Sequence, residues 1–348
     1  MRPAAPPASA VTIRDVAQAA GVHVSTVSRA LDPVKRKLIS EEVLRTVEAA
    51  ARKLGYRPNR AASSLRTGRT HTIGVLVPDM TNAVFPPMLE GIEASAAARG
   101  YFVLVAHAAD AQLGQAVAER MLAQRVDGIV IANAVHDDPL VAYLAQSGVQ
   151  AVLVNRPDDT GRLPAVVGDD RLAMKLVVEH LLREGHRRIA HLAGPQHVPT
   201  GVARRQGLEQ ALRDHDLTPA ALIECENFTR DAGRSACERL LAQMRDAPAD
   251  TRADALVCAN DLIALGAYDA LRAAGLRVPQ DLSVTGHNDM PMVDLITPPL
   301  TTVRLPHREF GWRAAELLFG ALDGAADSVS TVVLRPELVV RGSTCARV

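Results

Sequence analysis

Apolar positions recur at two different periods along this chain, and the change between them divides it. Between residues 12 and 56 apolar side chains return every three or four positions, the spacing of one face of an α-helix. In TIRDVAQAAGVHVSTVSRAL, residues 12–31, Ile13, Val16, Ala17 and Ala20 form one such face, Thr12 with Asp15 can cap it, and Gly21 ends it. Val24, Val27 and Leu31 form a second face, leaving His23, Ser25, Thr26, Ser28 and Arg29 near or on the polar side. A third helix opens at Ser40, points Val43, Leu44, Val47 and Leu54 inward, and ends at Gly55-Tyr56. Two short helices about a Gly-Val turn read as a helix-turn-helix, although a plain helical hairpin with a solvated face shares that pattern. The following RPNRAASSLRTGR, residues 57–69, offers a helix start at Pro58-Asn59 but room for only about two turns, so it is expected to order only on a partner surface.

From residue 71 the period changes. Continuous apolar runs (TIGVLVPD, YFVLVAHA, GIVIANA, AVLVNR, AVVGDD, RRIAHLAGP, ALVCAND, LSVTGHND) alternate with helical stretches such as FPPMLEGIEASAAARG, the segment around Gln112 to Arg125, and helices beginning near Asp170, Gly201, Arg230 and Asp261. Strands apolar on both faces and bracketed by helices predict an α/β architecture of parallel sheets covered on each side. Several runs end in polar pairs: Pro78-Asp79, Asn155-Arg156, Asp169-Asp170, Asn260-Asp261 and Asn288-Asp289. Each pair alone reads more often as a turn or helix cap than as a ligand contact. Their recurrence predicts a cleft, because ligands of open α/β sheets bind beyond the carboxyl ends of the strands.

Charge sharpens the division. The chain balances 39 Lys or Arg against 39 Asp or Glu, yet residues 1–70 hold 13 basic against 5 acidic side chains, leaving 26 against 34 for residues 71–348. A basic head on an acidic body is what contact with a polyanion through the head alone requires. Cys225, Cys237, Cys258 and Cys345 lie far apart with no CxxC pair or histidine ligand set, so they read as buried or incidental thiols, and neither a metal nor a cofactor is expected. Residues 1–10, rich in Pro and Ala, read as a disordered leader rather than a signal peptide. No uninterrupted apolar run of about 18 residues predicts a membrane span, so the expectation is a cytoplasmic protein with no membrane partner.

The order of these motifs resembles the LacI/GalR family of bacterial transcriptional regulators. The resemblance rests on the head, the YRPNRAASSLRTGRT linker, TIGVLVPDMTN, GHRRIAHLAGP, CANDLIALGAYDALRAAGLRVPQDLSV and PPLTTVR, and covers about residues 11 to 346. It implies a helix-turn-helix DNA-binding domain over 11–57, a hinge helix or linker over 58–70, and a two-lobed periplasmic-binding-protein-like effector and dimerisation domain over 71–346. Lobe 1 is expected over about 71–164 and 304–328 and lobe 2 over about 165–303 and 329–346, with crossovers near 164–166, 302–305 and 327–330.

The same resemblance assigns Val24, Ser25 and Arg29 to base reading and Thr12, Thr26, Ser28 and Asn59 to phosphate contact. Arg29 has the geometry for a bidentate bond to guanine, with a phosphate contact as the alternative. Arg60 adds a basic linker contact. Leu65 matches a leucine that wedges into a minor-groove base step, unless it packs on the body. For the cleft the resemblance points to Phe85, Thr200, Arg204, Phe228, Asn260, Asp261, Asn288 and His307, with a helix cap as the alternative role of Asp261. Amides, a guanidinium and an aromatic wall suit a sugar's hydroxyls and apolar faces. Two departures from the commoner family pattern stand out: Asn288 where many members carry Asp, and Val198-Pro199 in a loop that is often more polar. With Arg156, Arg204 and His307 nearby, the missing carboxylate favours a sugar acid or phosphate, unless Arg156 pairs with Asp158 or Asp169. The implied protein is a homodimer that binds double-stranded operator DNA and a small sugar or sugar-acid effector. The end at TCARV, without a heptad tail, sets the expectation of dimers rather than tetramers. A solute receptor of the same two-lobed build would need no basic head. An enzyme would call for a nucleophile elbow, a phosphate loop or a metal motif, and none is present in the sequence.

Overall fold

The computed structural model describes residues 11–31, 35–56, 68–325 and 330–347. The chain divides into two compact units, Met1–His71 and Thr72–Val348.

In the first unit α1 (Ile13–Ala20), α2 (Val24–Ala30), a 3-10 turn (Lys35–Leu38) and α3 (Glu41–Leu54) enclose a small core of Val16, Ala17, Val27, Ala30, Val47 and Ala51. The expected cap of α1 is present in full. Thr12 N–H and Oγ1 donate to Asp15 Oδ2 at 2.7 and 2.8 Å, while Asp15 N–H donates back to Thr12 Oγ1 at 3.4 Å. Gly21 ends the helix at φ 65°, a left-handed conformation open to glycine at little cost.

The second unit begins with β1 (Thr72–Val77), α4 (Phe85–Ala98), β2 (Phe102–His107), α5 (Ala111–Ala123), β3 (Gly128–Ile131), α6 (Pro139–Ser147), β4 (Gln150–Val154) and β5 (Ala165–Gly168). It continues with α7 (Asp170–Arg183), β6 (Ile189–Ala193), α8 (Pro199–Arg213), β7 (Ala221–Glu224), α9 (Arg230–Asp246), β8 (Ala255–Cys258), α10 (Asp261–Ala273), β9 (Ser283–Asn288) and β10 (Thr301–Arg304). The last elements are α11 (His307–Leu322), β11 (Thr331–Leu334) and β12 (Glu337–Val339). Two six-stranded sheets result, ordered β2-β1-β3-β4-β5-β11 and β7-β6-β8-β9-β10-β12. Every neighbouring pair is parallel except β10 with β12. Strand burial follows: β1, β3, β6, β8 and β9 are buried almost throughout, as sheets covered on both faces require.

Sheet membership moves two of the expected crossovers. β5 pairs with β4 and with β11, so the chain leaves the first lobe between Gly168 and Asp170 rather than near 164–166. It returns between Arg304 and His307, at the edge of the expected 302–305, and crosses last between Leu334 and Glu337 rather than at 327–330. Of the described residues, the lobes are therefore about 72–168 with 307–325 and 330–334, and about 170–304 with 337–347. The physical reason is that a four-residue run such as AVVG carries no mark of which sheet it joins; the register Thr331↔Ala165 decides that.

Helix α11 seals the first lobe against α4 with backbones in near contact. A Cβ at Gly91 would stand 2.0 Å from Arg308 O, and one at Gly311 1.8 Å from Met88 O. Glycine is the residue that fits at both positions.

Candidate functional site

Residues beyond the carboxyl ends of strands in both lobes wall a cavity of about 200 Å³. The first lobe contributes Asp79 and Asn82 after β1, Phe85 at the start of α4, Asn133 and Val135 after β3, and Asn155-Arg156 after β4. The second contributes His197, Val198, Thr200 and Arg204 around the start of α8, Asn227, Phe228 and Thr229 before α9, Asn260 after β8 and Asn288 at the end of β9. Between the lobes, the backbone N–H of His136 in the first donates to the backbone carbonyl of His197 in the second at 3.3 Å.

Of the eight residues expected in the cleft, Phe85, Thr200, Arg204, Phe228, Asn260 and Asn288 are in its wall. Asp261 and His307 are not. Asp261, wholly buried, accepts from Met290 N–H at 2.8 Å and Thr302 Oγ1–H at 2.5 Å, tying α10 to β10 and the turn after β9. Burial pushes its carboxyl up to about 6. The helix cap is Asn260 instead, whose Oδ1 accepts from Ile263 N–H at 2.8 Å while Nδ2 donates to Phe228 O at 3.3 Å. His307 is buried and not part of the wall, with its Nε2 unpartnered; burial, with Arg204's charge, draws its imidazole down to about 4 and holds it neutral.

Arg204 organises the second lobe's side. Its Nε–H donates to Asp170 Oδ1 at 2.8 Å, its Nη1–H donates to Ala259 O at 2.8 Å, and its guanidinium lies 5.8 Å from the centre of the Phe228 ring. His287 Nε2 is 3.5 Å from the same Asp170 oxygen. Burial drives His287 well below the usual histidine range, so it adds no second positive charge.

Arg156 forms neither of the pairs weighed for it. Asp158 is engaged by Thr160 Oγ1–H at 2.6 Å and Arg162 N–H at 2.8 Å, and Asp169 caps α7 through Leu172 N–H at 2.9 Å. Burial and the like charge of Arg204 lower the Arg156 guanidinium to about 10, still protonated at neutral pH. Asn82, Asn133, His197 and Asn227 were not singled out from sequence, although the strand-end rule that found Asn155 and Asn288 extends to Asn133, two residues beyond β3.

In the head, Thr12, Ser25 and Arg29 are exposed, and Val24, Thr26 and Ser28 are half-buried, Val24 packing on the core. His23 caps α2: its Nδ1 accepts from Ser25 N–H at 3.2 Å and lies 2.8 Å from Ser25 Oγ. The expected contacts Asn59, Arg60 and Leu65, and the leader 1–10, fall outside the described residues. Among those described, Cys225, Cys237, Cys258 and Cys345 are all free thiols, no cluster of side chains could hold a metal ion, and no helix is long and apolar enough to cross a membrane.

Two sheet-bearing lobes joined by three crossovers, with a cleft between them and a helix-turn-helix head, define a binding body coupled to a DNA-reading module. The known proteins it resembles have the same composite form. The description "bacterial regulatory proteins, lacI family" matches residues 12–59, and "periplasmic binding protein-like domain" matches residues 178–344. The chain is 33% identical to the HTH-type transcriptional repressor CytR of Escherichia coli (strain K12) over 341 residues, 97% of each chain. It is 31% identical to the ribose operon repressor of the same strain over 335 residues, 95% of this chain and 99% of that one. The solved lac repressor dimer, bound to operator and the anti-inducer ONPF, matches with a TM-score of 0.84 at 29% identity, covering 97% of this chain and 100% of that one. The chain belongs to the LacI family of bacterial transcriptional regulators.

Proposed function

We propose that this protein is a cytoplasmic homodimeric repressor, without enzymatic activity, whose affinity for double-stranded operator DNA is set by a small sugar or sugar acid bound between its lobes. The observation that carries the reading is a cavity walled from both lobes of a chain that also bears a basic three-helix head. A ligand touching both walls has different affinities for open and closed arrangements, and only such a difference can shift a conformational equilibrium. The polar wall of amides, Thr200 and Arg204 beside the Phe228 ring suits hydroxyls on an apolar ring. At about 200 Å³ the cavity is below the roughly 300–1,000 Å³ of drug-sized sites, which favours a single-ring ligand.

At the DNA, Arg29 reads guanine, Val24 and Ser25 meet base edges, and Thr12, Thr26, Ser28, Asn59 and Arg60 hold the backbone, while Leu65 wedges into the minor groove. Two heads on a symmetric dimer address a pseudo-palindromic site. Gel retardation of DNA from upstream of the protein's own gene, across a salt series, tests the reading. Retardation that resists a scrambled competitor and weakens steeply with salt is expected; equal binding to scrambled DNA would overturn it.

A further inference from the structure

The cavity wall is rich in polarity and poor in negative charge. Asn82, Asn133, Asn155, Asn227, Asn260 and Asn288 supply amides. Among the described residues of the wall the one carboxylate, Asp79, turns its Oδ1 onto its own loop, accepting from Thr81 N–H at 2.8 Å and Thr81 Oγ1–H at 2.7 Å. Two guanidiniums, Arg156 and Arg204, face this lining. Arg204 is matched by Asp170 at 2.8 Å. Arg156 is matched by nothing: no ion pair forms among the described residues, its Nε is buried without a partner, and the nearby Asp158 and Asp169 carboxylates are committed elsewhere.

A half-buried guanidinium whose Nε is shut off from water and which has no counter-charge is costly, and hydrogen bonds from a neutral polyol supply no counter-charge. An oxyanion does, through short charge-assisted bonds matched to the planar fork of donors. Around it, Asn155 and Asn288 stand at strand ends with φ of 70° and 117°, and their side-chain amides have no hydrogen-bond partner among the described residues. Both side chains line the cavity.

On the reading that the cleft holds the effector, we propose that this effector is an anion, a compact polyol carrying a carboxylate or phosphate, with its charged group seated on Arg156. Arg204, already neutralised and stacked near Phe228, holds the hydroxylated ring. The carboxylate that would repel such a ligand is replaced by Asn288.

Titration calorimetry of the intact protein tests this with inorganic phosphate and with matched probes: ribose and ribose 5-phosphate; glucose, glucuronate and glucose 6-phosphate. At least one anionic probe is expected to bind where its neutral parent does not, with affinity falling as salt rises. The glucuronate and sugar-phosphate arms separate carboxylate from phosphate. Arg156→Gln should weaken binding about tenfold or more and Arg156→Lys less, since lysine keeps the charge and loses only the fork. Thermal melting of each variant verifies that it is folded. A neutral parent binding as tightly as its derivative, an undiminished affinity in folded Arg156→Gln, or no anion bound at millimolar concentration would each overturn the proposal. Wild-type operator retardation is read separately, so loss of DNA binding would count against the regulatory function and not against the anion site.

Discussion

Arg204 Nε lies 2.8 Å from Asp170 Oδ1, a pair that joins the wall of the cleft to the first residue of α7, two positions beyond the strand where the chain leaves its first lobe. Both side chains are nearly inaccessible, at 4% and 11% exposure. Removing one member of a buried pair strands the other, at a cost of about 3–5 kcal/mol. Arg204→Ala should therefore destabilise the body by about that amount in urea denaturation, in addition to any effect on the effector. A loss below about 1 kcal/mol, the scale of a surface pair, would show that the bridge carries little.

Asp261 gives a pH signature. Its carboxyl is raised from 3.8 to about 6, first by burial, so folding favours the protonated form more than the unfolded chain does. That contribution is fully present below the unfolded value and disappears as pH rises through the folded one. A shift of this size corresponds to about 3 kcal/mol. Relative to the non-titrating Asp261→Asn, the wild type should lose up to about 3 kcal/mol between about pH 4 and pH 7. Denaturation curves at several pH values read this directly; a stability difference independent of pH would contradict it.

Two glycines of α11 separate packing from helix propensity. Gly311→Ala forces a methyl against Met88 O, whereas a Cβ at Gly320 meets nothing within 4 Å. The first change should destabilise by about 1–3 kcal/mol or more, and the second should stabilise by up to about 1 kcal/mol. Thermal or chemical unfolding that ranks them otherwise would contradict the α4–α11 packing described above.

On DNA, base reading and backbone holding should separate. Arg29→Ala is expected to cost about 1–3 kcal/mol of discrimination at one operator position, while Arg60→Ala should weaken all sequences alike and lower the salt slope by about 1. Leu65→Ala should weaken operator binding by a few kcal/mol through loss of a wedge. Titrations against single-base operator variants check all three, and uniform losses for Arg29→Ala would reassign it to the phosphates.

Much of this was legible in the sequence where one local rule decides. The α1 capping box needs only Thr12 and Asp15, and the starts of α7 and α10 follow from the strand-ending pairs Asp169-Asp170 and Asn260-Asp261. Misreadings arose where a distant partner decides. Whether AVVG joins one sheet or the other depends on β11, more than 160 residues away in the chain. Asn260 and Asp261 are adjacent and both polar, yet Asn260 lines the cleft and caps the helix while Asp261 points to Thr302 and Met290. The isolation of Arg156 was equally invisible, since Asp158 and Asp169 offer themselves in sequence and are engaged elsewhere in space.

If lobe closure governs the head's hold on DNA, the contact between the two lobes gives direct access to it. His136 N–H and His197 O meet at 3.3 Å across the two lobes, which sets these residues side by side. In the double variant His136→Cys with His197→Cys, oxidation would lock the lobes in this arrangement and reduction would release them. Operator affinity measured by anisotropy in the two states, with the crosslink verified by mass spectrometry, should differ by about 5- to 150-fold, the range of typical allosteric coupling. Identical affinities in the locked and released protein would contradict the account.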